Sequence, residues 1–130
     1  MPTQADMKAI MVEYVKRVNA GDAAAVVALY ADDATVEDPV GSPPREGKAA
    51  IADLYERAVA GHVHLRILAG PFGSFGNATA MAAEVRIDSP VGASDRGPTR
   101  IPLVEVMTFD DRCRITSMRA YWGPEDMAAE

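Results

Sequence analysis

The run Ile101-Pro102-Leu103-Val104-Glu105-Val106-Met107-Thr108-Phe109 contains a single charge. Nine residues, mostly apolar and β-branched or aromatic, predict a strand, in which alternate side chains share a face. Glu105 then points the same way as Ile101, Leu103, Met107 and Phe109. A carboxylate in an apolar stripe must be paired or must keep its proton. The bland reading is a buried ion pair with Arg66, Arg86 or Arg119, a type of pair that seldom adds stability over an apolar substitute. The functional reading is a neutral acid that donates a hydrogen bond, which suits stabilisation of an oxyanion. A second carboxyl, Asp38, ends the strand-like segment Ala34-Thr35-Val36-Glu37-Asp38 and shares parity with Ala34 and Val36. Its bland reading is an Asp-Pro turn in which the carboxylate accepts backbone hydrogen bonds. Two carboxyls facing one apolar cavity is the alternative.

Outward from these two segments the chain divides by period. Met7, Ile10, Met11, Tyr14, Val15 and Val18 recur at helical spacing. Thr3 with Asp6 resembles a capping box and Gly21 suits a stop, so a first helix is expected over residues 4–20. Asp22 suits the cap of a short second helix running through Val26, Val27, Leu29 and Tyr30. Gly41-Ser42-Pro43-Pro44 reads as a loop. A third helix is expected over 48–60, with Ile51, Leu54, Tyr55, Ala58 and Val59 on one face. The period then becomes two. Val63, Leu65 and Ile67 alternate, and Gly70-Pro71 and Gly73 interrupt them as a bulge or bend would. Residues 79–87 form the next strand, 88–98 a long hairpin loop rich in Gly, Pro, Ser and Asp, and 101–109 the strand of Glu105. A last strand over 114–122 puts Thr116, Met118, Ala120 and Trp122 on one side. No repeat interrupts residues 1–130, which read as one α+β domain with helices on one face of a curved sheet.

The other face of the Glu105 strand, Pro102, Val104, Val106 and Thr108, is also largely apolar. An antiparallel strand with one wet face alternates more cleanly. A second copy of the chain is the simplest cover for such a surface, so a homodimer is expected.

The 130 residues are 48% hydrophobic and 25% charged, in the range of a folded globular protein. A net charge of −6 without a basic patch argues against nucleic acid as a partner. No apolar stretch reaches membrane-spanning length. The first residues lack the basic-then-apolar pattern of a signal peptide, and the single cysteine, Cys113, excludes an internal disulfide, so a cytoplasmic protein is expected. Cys113 falls in a turn, expected to be exposed, and has no nearby histidine. His62 and His64 lack a third ligand and read as surface residues, so no metal is expected. Tyr14 and Tyr55 lie on apolar helix stripes, and each buried phenol needs a partner for its hydroxyl. The phenols can satisfy one another or serve a ligand.

The segment Ala31-Asp32-Asp33-Ala34-Thr35-Val36-Glu37-Asp38-Pro39-Val40-Gly41 closely resembles the signature region of bacterial Δ5-3-ketosteroid isomerases (steroid delta-isomerases). The likeness extends through Tyr14-Val15, Asn19-Ala20-Gly21-Asp22, Gly47, Ile51 and Tyr55, and resumes at Val106-Met107-Thr108-Phe109-Asp110 and Ser117-Met118-Arg119-Ala120-Tyr121-Trp122. It implies a cone-shaped curved antiparallel sheet with three N-terminal helices, the nuclear-transport-factor-like barrel. It also implies an enzyme that moves a C=C bond in a small hydrophobic steroid substrate without a cofactor. In the family's scheme an Asp is the base, and a Tyr with a protonated Asp forms the oxyanion hole. The resemblance puts Asp38, Tyr14 and Glu105 in those roles. Tyr30 and Tyr55 match the tyrosines that bond to the oxyanion-hole phenol, and Met81, Met118 and Trp122 match cleft positions. The chain departs from the pattern at Glu105, where the family has Asp, and in a longer 88–100 loop.

Two other readings keep the cavity. A polyketide-cyclase-like or other small-molecule enzyme of the same superfamily would also use pocket carboxylates. An epoxide hydrolase would place an arginine between two of them, and no arginine on the Glu105 strand shares its inward parity. A non-catalytic ligand-binding domain would need the cavity but gains nothing from a buried acid.

Overall fold

The computed structural model describes residues 2–88 and 97–129. The chain starts with helix α1 (Gln4–Asn19), followed by α2 (Ala23–Val27), strand β1 (Tyr30–Glu37), β2 (Arg45–Glu46) and α3 (Lys48–Ala60). The strands β3 (His64–Phe72), β4 (Ala78–Ile87), β5 (Thr99–Phe109) and β6 (Ile115–Tyr121) follow, with a two-residue β7 (Ala128–Ala129) after a short 3-10 turn. The main path of the sheet runs β2-β1-β6-β5-β4-β3 and does not close, while β7 pairs with β5. No helix among the described residues is long and apolar enough to cross a membrane. The expected 88–98 loop joins β4 and β5, which pair antiparallel from Ala78↔Thr108 to Ile87↔Thr99. Its residues 89–96 lie outside the described ones.

Local chemistry sets the ends of the helices. Thr3 and Asp6 form the reciprocal capping box at 3.0 Å each way, and Asp22 accepts the Ala25 amide at 3.0 Å to cap α2. Gly21 takes φ 73°, a left-handed conformation that glycine reaches without a Cβ clash. The helices pack against one side of the sheet: α1 on β3 and β4, α3 on β1, and α2 between α1 and α3. Asn19 fastens the end of α1 to β3, accepting the Leu65 amide at 2.7 Å and donating to its carbonyl at 2.9 Å.

Four expectations need correction. Tyr30 begins β1 instead of ending α2. The helix stops at the Ala28 cap, the Leu29 carbonyl accepts the Ile115 amide at 2.9 Å, and Tyr30 pairs with Ile115. The sheet is not wholly antiparallel, since β1 and β6 run parallel. On β6, Ile115 and not Thr116 faces the core, because the register slips between Thr108 and Phe109. Cys113 is half-buried against the core and not exposed. The bulge reading for Gly70-Pro71 holds: β3 continues to Phe72 with register shifts at Ile67/Ala69 and Ala69/Phe72.

On β5 the alternation is clean. Thr99, Ile101, Leu103, Glu105, Met107 and Phe109 are buried, and Arg100, Pro102 and Val104 are exposed. The helices therefore cover the face that carries Glu105.

Candidate active site

Register assembles the site. Glu105 on β5 pairs with Met81 on β4 and with Ala120 on β6. Along the parallel β1–β6 pair Glu37 stands opposite Arg119, so Asp38 leaves the end of β1 beside β6. The Val40 amide donates to the Ala120 carbonyl at 2.8 Å and keeps the chain beyond β1 against β6. Ala120, Glu105 and Met81 thus form one row across the sheet, and Asp38 lies just past the end of β1 on the far side of β6. The two carboxyl residues stand two strands apart, roughly 10 Å between backbones. The residue between them is alanine, whose methyl leaves that space open.

Asp38 accepts a hydrogen bond from the Trp122 indole N–H at 2.8 Å. This is the partner in place of the backbone amides of a simple Asp-Pro turn. Burial raises the Asp38 pKa, while the Trp122 bond and the Arg45 charge oppose it. Asp38 keeps some solvent contact, whereas Glu105 is 2% exposed.

Glu105 is not ion-paired with the arginines considered above. Arg66 bonds Glu84 at 3.3 Å, Arg119 bonds Glu37 at 3.0 Å, and Arg86 bonds Asp88. The Glu105 Oε2 is buried and has no hydrogen-bond partner among the described residues. Burial, reinforced by the Asp38 charge, pushes the Glu105 pKa up to about 8 against an opposing influence from the Tyr14 hydroxyl. A neutral carboxyl with one oxygen unpartnered can donate to, or accept from, a ligand.

Three phenols face the acids. The Tyr14 and Tyr55 hydroxyls lie 3.0 Å apart, and those of Tyr55 and Tyr30 lie 2.6 Å apart. Their rings stack edge-on (Tyr14–Tyr55, 77°) and tilted (Tyr30–Tyr55, 41°). All three are pushed well above the ordinary phenol range, by burial first and then by neighbouring groups that include the Glu105 carboxyl. The phenols therefore partner one another, and the Tyr14 end of the chain of hydroxyls is the one on which Glu105 acts most directly. Met81 and Met118 are each 1% exposed on the same face, and Trp122 is half-buried at the open end. Chemically, such a set supplies apolar side chains for a flat molecule, a carboxyl at Asp38 that can exchange a proton, and two neutral hydroxyl donors at Tyr14 and Glu105.

Two residues escaped the sequence reading. Ala120 was placed on the correct face, but its role as spacer appears only in the register. Arg45 pairs with the buried Val36 across β1–β2 and so lies on the helix-covered face. A search for inward arginines along β5 alone could not find it. His62 and His64 are exposed.

The raised Glu105 pKa implies a pH-dependent stability. The unfolded acid titrates near 4.5 and the folded one near 8, so between these values the folded state holds more protons. Stability therefore falls as pH rises through that window and levels off above it, by roughly 5 kcal/mol at most. Glu105→Gln, a neutral isostere, is expected to remove this slope and raise the melting temperature most at pH 9. A wild-type melting temperature as flat with pH as the variant's would mean that Glu105 is ionised in the fold.

Residues 11–118 match the family model of the SnoaL-like domain. The chain is 40% identical over 123 residues to a steroid Δ-isomerase of Nocardioides simplex, covering 95% of this chain and 94% of that protein. It is 33% identical over 127 residues to the epoxide hydrolase LasB of Streptomyces lasalocidi, covering 97% of this chain and 44% of that protein. A solved structure of SalBIII superposes over the full length of both chains, with a TM-score of 0.92 and 32% identity. SalBIII is described as an epoxide hydrolase/cyclase-like enzyme with a role in pyran ring formation in the polyether salinomycin.

Proposed function

This chain belongs to the SnoaL-like domain family as a steroid isomerase-like member, and on that premise we propose that it isomerises 3-oxo-Δ5-steroids to 3-oxo-Δ4-steroids. In this reading ionised Asp38 takes a proton from the carbon between the ketone and the double bond. The dienolate oxygen lies between the Tyr14 hydroxyl and the protonated Glu105 carboxyl. Asp38 then returns the proton two carbons further along, so the substrate is its own electron donor and acceptor and no cofactor is consumed. The observation that carries the reading is the buried Glu105 Oε2, unpartnered among the described residues, on a sheet whose β1 end carries Asp38. Burial divides the labour: the deeper acid keeps its proton, and the partly solvated one, with its indole donor, ionises. Tyr30 and Tyr55 hold the Tyr14 phenol, and Met81, Met118 and Trp122 line the cleft. The test is conversion of a Δ5-3-ketosteroid followed by conjugated-enone absorbance. Turnover supports the reading, and tight steroid binding without turnover overturns it.

A second reading is favoured by the epoxide hydrolase and cyclase-like relatives and by Arg45 on the helix-covered face. Here protonated Glu105 would donate to an epoxide oxygen while Asp38 deprotonates the attacking hydroxyl. Turnover of a hydroxy-epoxide with no enone formation in the steroid assay selects it.

We also infer a homodimer through the face of the sheet opposite the helices. Val104 and Tyr121, paired across β5 and β6, are each 42% exposed, and Ala80 and Ala82 of β4 flatten the neighbouring surface. Sedimentation is expected to give a dimer and Val104→Asp a monomer. A monomeric wild type at tens of micromolar would refute the inference.

A further inference from the structure

We propose that Arg45 is a positioning residue for the proton transfer, a fixed cation that holds Asp38 in its proton-accepting form. The inference rests on the reading of Asp38 as the base. Arg45 and Val36 are cross-strand partners on the helix-covered face, and Asp38 follows two residues after Val36, just past the end of β1. Helix α3 holds the guanidinium in place: Arg45 donates to the Ala50 carbonyl at 3.3 Å and to Asp53 Oδ2 at 3.2 Å. The same Asp53 oxygen is contacted by Arg57 at 3.1 Å. One carboxylate shared by two guanidiniums leaves this cluster with net positive charge. Glu46 points to the opposite face and is exposed, and Lys48 is paired with Asp32 at 3.5 Å.

Among the described residues, the groups facing Asp38 from the other elements supply little countercharge. Trp122, at the end of β6, offers a neutral N–H; Tyr14 of α1 and Tyr30 of β1 are neutral phenols. Glu105 of β5 is neutral while it keeps its proton, and its ionised form would repel Asp38. Burial alone would drive Asp38 toward its protonated, inactive form, and the charge of Arg45 opposes that. Arg45 is partly exposed, so its effect is moderate and weakened by salt.

The test compares pH profiles of Arg45→Gln, Arg45→Lys and Asp53→Asn in the full chain, alongside a direct NMR titration of the Asp38 carboxyl. Arg45→Gln is expected to move the acid limb of kcat/KM to higher pH, lowering kcat/KM about threefold on that limb and leaving the plateau unchanged. Arg45→Lys, which retains charge, should keep the wild-type profile. Asp53→Asn, which unmasks Arg45, should shift the limb the opposite way, and high salt should shrink both shifts. A merely structural role would not reverse sign between the two charge changes. Unshifted profiles, or shifts in the same direction, overturn the proposal. If the wild type shows no isomerisation, the NMR titration still decides: opposite shifts uphold the electrostatic role while the isomerase reading fails, and equal ones refute it.

Discussion

Asp38→Asn is expected to lower kcat by about 10⁴-fold, the upper range for removal of a general base, while steroid binding survives. The substitution is nearly isosteric, and the amide oxygen still accepts the Trp122 indole bond seen at 2.8 Å, so the side chain should keep its place. What is lost is the lone pair that takes the proton, because an amide is not a base at neutral pH. Loss of the Asp38 charge also removes one of the causes that raise the Glu105 pKa. Ionisation of Glu105 in the variant should therefore begin at lower pH, and the stability slope with pH should weaken. Binding is measured by quenching of Trp122 fluorescence by product steroid, and turnover by enone absorbance. Loss of binding together with turnover, with a collapsed melting transition, would assign Asp38 a folding role. Retained turnover would remove it from the mechanism.

How much of this was legible beforehand depends on the range of the interaction. The inward aim of Glu105 follows from strand parity, and β5 is regular enough that parity holds from Thr99 to Phe109. The caps at Thr3, Asp6 and Asp22 are equally local. Tyr30 was misplaced because α2 passes into β1 within a few residues, and only pairing with Ile115 across the sheet makes it a strand residue. Thr116 was misplaced for a related reason: a register slip reverses parity, and nothing in the local sequence announces it. The bond from Trp122 to Asp38 joins residues 84 positions apart through a parallel pairing, so no spacing rule could have found it. Arg45 lies in a strand of two residues, too short to show any period. The order of the phenols, with Tyr55 between Tyr14 and Tyr30, is likewise a product of packing between α1, α3 and β1. The residue types of the site were thus readable one strand at a time, and their mutual geometry was not.

Tyr14→Phe and Glu105→Ala are each expected to lower kcat by a hundredfold or more, since a single oxyanion donor contributes about 3–4 kcal/mol to the transition state. The two losses have different structural consequences, and that difference makes the pair informative. Tyr14→Phe removes one hydroxyl from the end of the phenol chain and leaves the Tyr55–Tyr30 bond at 2.6 Å intact. Its KM and melting temperature should change little. Glu105→Ala removes an acid whose Oε2 has no partner among the described residues, so it breaks no hydrogen bond made by that atom to them. The cavity left behind opposes any gain in stability, more so at low pH where the lost acid was neutral anyway. Glu105→Gln separates these effects: it keeps the volume and an N–H donor but cannot ionise. It should be more active than Glu105→Ala and should lose the decline in rate expected of the wild type above pH 8, as the acid near that value ionises. If Glu105→Gln matches Glu105→Ala in rate, volume and donation do not matter and the acidic proton itself is required. If both Tyr14→Phe and Glu105→Ala turn over at nearly the wild-type rate, the oxyanion is not held between these two groups. The unpaired Oε2 would then need another purpose, such as donation to the epoxide oxygen of the alternative reaction.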